Sequence, residues 1–378
     1  MERDECVGSV AMREMAHETM DERTTKGAAR RRTAGLHDHL MPKEGWTTRG
    51  CAVMRLAAEQ RRLGIHVAVL GAAGGIGQPL SLLLARRGSD LASLRLYDVA
   101  NVAGVAADLS HVDARAPVRP YQGTSELADA LHGVDLVVLV AGAARKPGMS
   151  RDDLFQINAK VVFGLATAVA QHAPDAWLLV VTNPVDATVP IALEAMRKQG
   201  AGNDRKVIGV TSLDAVRAKK FVGDAVGVDP ARIMVPVVGG HAANTMLPLL
   251  SQCSPRFAFT EKEIEDLTTK LREAGTQVVE AKAGAGSATL SMAHAADWFV
   301  GQCLRAMQGA KGIVECAYVS SSVTELPFFA SPVQLGRDGV ETYLPLGPLN
   351  TGEREALQLL KSELARSIQK GTEFARSA

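Results

Sequence analysis

The stretch His66–Gly77, HVAVLGAAGGIG, constrains the chain more than any other. Val67-Ala68-Val69-Leu70 is a short apolar run. Glycine follows at 71, 74, 75 and 77, and Pro79 to Ala85 reads as a helix with a long apolar face. A buried strand, a tight glycine turn and a helix start, in that order, form a cradle for phosphate. Glycine removes the Cβ that would hold the backbone away from a pyrophosphate, and the helix N-terminus aims N–H groups at negative charge. The spacing is G-x-x-G-x-x-G rather than G-x-G-x-x-G, so the turn alone also fits a plain strand–turn–helix.

The next segment narrows the choice. Leu94-Arg95-Leu96-Tyr97-Asp98 is a second short strand. It ends in an acid about 20 residues past the glycines, where a ribose-binding carboxylate belongs. A carboxylate there accepts hydrogen bonds from ribose hydroxyls and repels a 2′-phosphate. The expected cofactor is therefore NAD rather than NADP.

Apolar strand candidates recur at 66–70, 94–98, 134–141, 177–182 and 207–209, separated by amphipathic helical stretches. This alternation predicts an α/β fold, a Rossmann-type doubly wound parallel sheet over 64–209. A mixed α+β substrate domain is expected over 210–378. It contains a polar helix at 261–281, a helix ending at Met307, strands with hairpin-like breaks over 312–345, and a last amphipathic helix at 351–375.

A length of 378 residues accommodates two domains with substantial cores. The net charge of +1 gives no electrostatic case for nucleic acid or an acidic membrane. No run approaches the roughly 18 apolar residues of a membrane span. Five cysteines are scattered, with no CxxC or Cys/His cluster, so neither a metal site nor a disulfide framework is expected. Cys316, within GIVECAYV, reads as core.

Residues 1–63 differ from the rest. They are dense in charge, acidic to Glu22 and basic from Lys26 to Arg62, with little apolar periodicity. They read as a disordered or targeting extension outside the catalytic fold. Arg32 to Leu40 resembles an N-terminal peroxisomal signal (Arg-Leu, five spacers, His-Leu), with Thr33 in place of the leucine. Met54 is an alternative start.

Four sites carry candidate chemistry. Arg145 and Arg151 lie six apart on a basic loop with glycines at both ends, just before a helix start at Ser150. A guanidinium fork matches a carboxylate, and the flanking glycines permit a closing lid; an ordinary solvated loop has the same composition. Asn183 ends a strand with an amide able to orient a bound group, although Asn-Pro also marks turns. Asp214 and Arg217 share one helix face, the usual spacing of a surface ion pair. His241 follows Gly239-Gly240 after a buried-looking strand. With a carboxylate on one ring nitrogen it serves as a proton carrier near neutral pH, and without one it is a structural histidine.

Six segments in order then resemble the NAD-dependent malate dehydrogenases of the lactate/malate dehydrogenase superfamily. They are GAAGGIGQPLSLL, RKPGMSRDDLF, TNPVDATVPIA, GVTSLDAVRA, VPVVGGHAANTMLPLLSQ and EAKAGAGSATLSMA. The resemblance runs from about Gly64 to the C-terminus and leaves out residues 1–63. DVANVAGVAADLSH, GTSELADAL and ELPFFASPVQLGRDGVE look most like the plant organellar branch, which implies a plastid or peroxisome/glyoxysome rather than a mitochondrion.

The resemblance implies an enzyme interconverting (S)-malate and oxaloacetate in malate metabolism, including the tricarboxylic acid cycle, and acting as a homodimer. It implies His241 as proton donor and acceptor, and Asp214 as the group fixing its tautomer. Arg217 would bind the C1 carboxylate, Arg145 the distal carboxylate, and Arg151 the substrate carbonyl. Asn183 would position substrate and nicotinamide. Gly71, Gly74, Gly77 and Asp98 would hold the dinucleotide, with Asn158 and Met292 lining its site. An arginine at 145 selects a dicarboxylate, because a methyl would leave its charge unpaired.

Departures from the family pattern are Ala143-Ala144 before Arg145, Asp186 for asparagine, Lys219-Lys220, and Ala243-Asn244 after the histidine. Ala243 crowds the backbone beside His241 if that position needs φ > 0. The rival readings are another 2-hydroxyacid dehydrogenase, or a catalytically weak NAD-binding paralog with a scaffold role.

Overall fold

Of the first six strands, all but one edge strand are buried on both faces. In β1 (Ile65–Leu70) the side chains of Val67 and Val69 enter one apolar cluster while Ala68 and Leu70 enter another. A sheet covered on both faces has no polar face to alternate with, so its strands read as continuous apolar runs. The computed structural model describes residues 64–143, 151–284 and 286–378, and only the backbone of Ser89 and Arg151. Arg145, Ser150 and the signal-like Arg32–Leu40 lie outside the described residues.

After β1 come α1 (Gly77–Ala85), β2 (Leu91–Asp98), α2 (Val102–Leu109), β3 (Val118–Gln122), α3 (Leu127–Leu131), β4 (Leu136–Leu139), α4 (Arg151–His172), β5 (Trp177–Val180), α5 (Val185–Lys198) and β6 (Val207–Gly209). These strands lie in the order β3-β2-β1-β4-β5-β6, and every pairing is parallel. β1 and β4 are the central neighbours, and the chain winds outwards from them in both directions.

The second half gives α6 (Ser212–Val226), β7 (Val237–Gly239), β8 (Met246–Pro248), α7 (Glu261–Ala281), α8 (Leu290–Met307), β9 (Ile313–Ser320), β10 (Phe328–Gly336), β11 (Gly339–Tyr343) and α9 (Thr351–Ser377). The sheet continues from β6 through β9, β10, β7 and β8, now antiparallel, with β11 also on β10. The junction is one pairing, Gly209 with Tyr318. Helices α7 and α9 both start at capping boxes, Thr260 with Glu263 and Asn350 with Glu353, which satisfy N–H groups left free at a helix start.

Two differences from the sequence reading have physical causes. β3, VRPYQ, was not among the expected strands, because it is a partly exposed edge carrying Pro120. Proline is tolerated at such an edge and weakens the strand signal there. The sheet also runs unbroken into the second half, through a pairing that no local periodicity encodes. Asp152–His172 is apolar and long enough to cross a membrane, yet Phe155, Ala159, Val162, Ala166 and Val169 are buried in the core. Cys253, Cys303 and Cys316 are free, and burial pushes their thiols up, Cys253 to about 11 and Cys316 to about 12. Such thiols are poor nucleophiles.

Candidate active site

The glycine turn closes on itself. Gly71 takes φ +97°, and a Cβ there would lie 2.5 Å from the Ala141 backbone. A Cβ at Gly77 would lie 2.1 Å from the Gly71 carbonyl oxygen. Only glycine fits either position. The Asp98 carboxylate accepts from the Ala73 N–H at 2.9 Å and from the Val99 N–H at 2.7 Å. It therefore braces the turn from the end of β2.

Gly71, Gly74 and Asp98 line one cleft of about 690 Å3, together with Tyr97, Val99, Ala141 and Gly142. Its far wall is one face of α4, Lys160-Val161 and Gly164-Leu165, which the sequence reading did not single out. The signal was available, since residues four apart on a helix share a face. The cleft falls within the size range of ligand pockets, and its lining includes glycine backbone and the Asp98 carboxylate. That donor set fits NAD.

Asn158, on α4 and 2% exposed, joins the ends of two strands. Its Oδ1 accepts from the Ala143 N–H and its Nδ2 donates to the Asn183 carbonyl, both at 2.8 Å. Its amide is thus spent on the backbone. The Asn183 side chain is exposed at the end of β5. Met292 is 3% exposed and packs in the same cluster as Val69, Ala72 and Val181.

The charged centre comes from α6 and the turn after β7. Asp214, in the first turn of α6, is 1% exposed, and its Oδ2 lies 2.7 Å from His241 Nδ1. The other carboxylate oxygen, Oδ1, is buried with no partner among the described residues. Burial alone lowers the His241 pKa, but the charge and hydrogen bond of Asp214 outweigh it, with help from Asp186, and the net shift is upward. Nδ1 is committed to Asp214, which leaves Nε2 for a ligand.

Arg217, one turn further along α6, is partly buried and has no carboxylate partner among the described residues. Burial lowers its pKa and Asp214 draws it back up. A partly desolvated guanidinium without an anion suits a carboxylate ligand. The surface ion pair that this spacing usually signals does not form. Arg151 opens α4, with only its backbone described, and Arg145 is not described.

Ala243 brings no strain. Among the described residues only Asn101 and Ala283 are non-glycine residues with positive φ, and Ala243 is exposed. Lys219 lies over the Trp298 ring and Lys220 pairs with Asp224.

Residues 65–209 match the family described as lactate/malate dehydrogenase, NAD binding domain, and 211–375 match the lactate/malate dehydrogenase, alpha/beta C-terminal domain. A glyoxysomal malate dehydrogenase of Oryza sativa subsp. japonica is 52% identical over 352 residues, 92% of this chain and 98% of that protein. Malate dehydrogenase 1, peroxisomal, of Arabidopsis thaliana is 51% identical over 356 residues, 94% of this chain and 99% of that protein. Both likenesses are longer than residues 64–378, so they reach into the N-terminal extension that the motif resemblance left out. Among solved structures, a malate dehydrogenase of Cryptosporidium parvum superposes with a TM-score of 0.70 at 26% identity, covering 83% of this chain and 100% of that one.

Proposed function

The chain belongs to the lactate/malate dehydrogenase family, and on that premise we propose that it oxidises (S)-malate to oxaloacetate with NAD and runs the reverse reaction. One observation carries the reading: the 2.7 Å contact between His241 Nδ1 and the buried Asp214 carboxylate, with Arg217, which has no carboxylate partner among the described residues, one helical turn away.

Residues 64–209 hold the dinucleotide and 210–378 supply the proton carrier. NAD, when bound, supplies the hydride acceptor. Gly71, Gly74 and Gly77 let the backbone approach a pyrophosphate, and Asp98 receives ribose hydroxyls. Arg217 takes the substrate C1 carboxylate in its fork. His241 Nε2 removes the hydroxyl proton as C2 is oxidised and returns it in reduction, while Asp214 stabilises the imidazolium. Arg145 takes the distal carboxylate, Arg151 polarises the substrate oxygen, and Asn183, Asn158 and Met292 shape the nicotinamide end. The enzyme is a homodimer. The two plant relatives and the signal-like Arg32–Leu40 support a peroxisomal or glyoxysomal address.

The test is NADH oxidation by oxaloacetate with the full chain, His241→Ala and Arg145→Gln. Turnover lost with the histidine change and weakened with the arginine change supports the assignment. Tight NADH binding without turnover in the wild type overturns it in favour of a non-catalytic paralog.

A further inference from the structure

The turn carrying His241 is wrapped around a second buried carboxylate. Asp186, in the first turn of α5, is 2% exposed. Its Oδ1 accepts from the His241 main-chain N–H at 2.6 Å, and its Oδ2 accepts from the Thr245 hydroxyl at 2.7 Å. Thr245 Oγ1 in turn accepts from the Ala242 N–H at 3.0 Å. A Cβ at Gly240 would lie 2.5 Å from Asp186 Oδ2 and 2.4 Å from Thr245 Oγ1, so the turn closes this tightly only with glycine there. One side chain thus fixes both ends of the segment 241–245, and it belongs to a different element, 55 residues earlier.

We infer that Asp186 is a positioning residue for the reaction: its buried carboxylate anchors the His241 main chain and, as a second negative charge near the ring, favours the imidazolium. This rests on His241 being the proton carrier. Among the described residues, the charged groups facing His241 are Asp214 and Arg217 from α6 and Asp186 from α5. Tyr318, from β9, donates its hydroxyl to the Asp186 carbonyl at 3.1 Å and stays neutral, because burial raises its pKa well above the usual value. Burial leaves the Asp186 pKa raised above the usual carboxylate value, although the bonds from Thr245 and His241 and the charge of the His241 ring pull against it. The N-terminal turn of a 14-residue helix favours the ionised carboxylate.

Asp186→Asn separates charge from geometry. The amide oxygen still accepts from His241, and its nitrogen donates to Thr245 Oγ1, which is free to donate to the Ala242 carbonyl 3.2 Å away. The full chain is labelled with 15N-histidine, the His241 signal is assigned by its loss in His241→Gln, and the ring is titrated in wild type and Asp186→Asn. The expected result is a midpoint lower by about half a pH unit or more in the variant, with the pH profile of malate kcat/KM following it. Asp186→Ala is expected to lose at least about tenfold in kcat, which Asp186→Asn largely restores. An imidazole midpoint unchanged in Asp186→Asn overturns the inference. The titration decides this even if the wild type fails to turn over malate, an outcome that sinks the proton-carrier reading instead.

Discussion

Asp214 and Arg217 stand one turn apart on α6, and only Asp214 has a charged partner among the described residues: its carboxylate meets His241 at 2.7 Å while the guanidinium is left open. One helix start therefore supplies both the carboxylate that raises the His241 pKa and a guanidinium with no carboxylate partner among the described residues. The division follows from burial. Asp214 is almost wholly buried and takes the ring nitrogen; Arg217 is only partly buried.

Arg217→Ala is expected to weaken oxaloacetate use strongly and NADH binding little. Losing one member of a partly buried, hydrogen-bonded charge pair costs about 2–4 kcal/mol, roughly 30- to 1,000-fold in kcat/KM. Arg217→Lys is expected to recover only part of this, since an ammonium lacks the planar fork. Steady-state kinetics together with NADH fluorescence titration check it; an equal loss of NADH affinity argues against a substrate role.

The pH dependence follows from the raised His241 pKa. Oxaloacetate reduction needs the imidazolium, so its kcat/KM is flat at low pH and falls as pH rises through the His241 pKa. Malate oxidation needs the neutral ring and rises across the same range. Asp214→Asn removes the charge that outweighs burial, so both midpoints move to lower pH, and turnover drops by about a hundredfold or more. Coincident wild-type and variant profiles would falsify the assignment of the profile to this pair.

Gly77→Ala tests the cradle. Its methyl meets the Gly71 carbonyl oxygen at 2.1 Å, and backbone on both sides must shift. The expected cost is about 2–4 kcal/mol of stability, with a clear loss of NADH affinity. Thermal melting and NADH titration read the two effects separately.

Asp98→Ser tests coenzyme choice. The change removes the charge that repels a 2′-phosphate while leaving an oxygen near the Ala73 N–H. The kcat/KM preference for NADH over NADPH is expected to fall by about tenfold or more, mostly through loss of NADH affinity. An unchanged ratio removes Asp98 from the ribose site.

The sequence by itself determined whatever is local. The glycine turn, the acid that ends β2, the apolar runs of β1, β4 and β5, and the helix at 261–281 all follow from spacing, periodicity and caps, which act over a few residues. Pro120 masked β3 because an edge strand has little burial to announce itself. The site residues were legible as types and motifs, but their pairing was not. His241 and Asp214 are 27 residues apart, Asp186 and His241 are 55 apart, and the Gly209–Tyr318 junction spans more than either. Only the tertiary structure decided that Asp214 turns to a histidine rather than to Arg217, and that a carboxylate from α5 anchors the turn carrying His241. The reason is desolvation. A carboxylate buried in the core must find hydrogen-bond donors there, and which donors lie within reach is set by how the layers close, not by any neighbour in the chain.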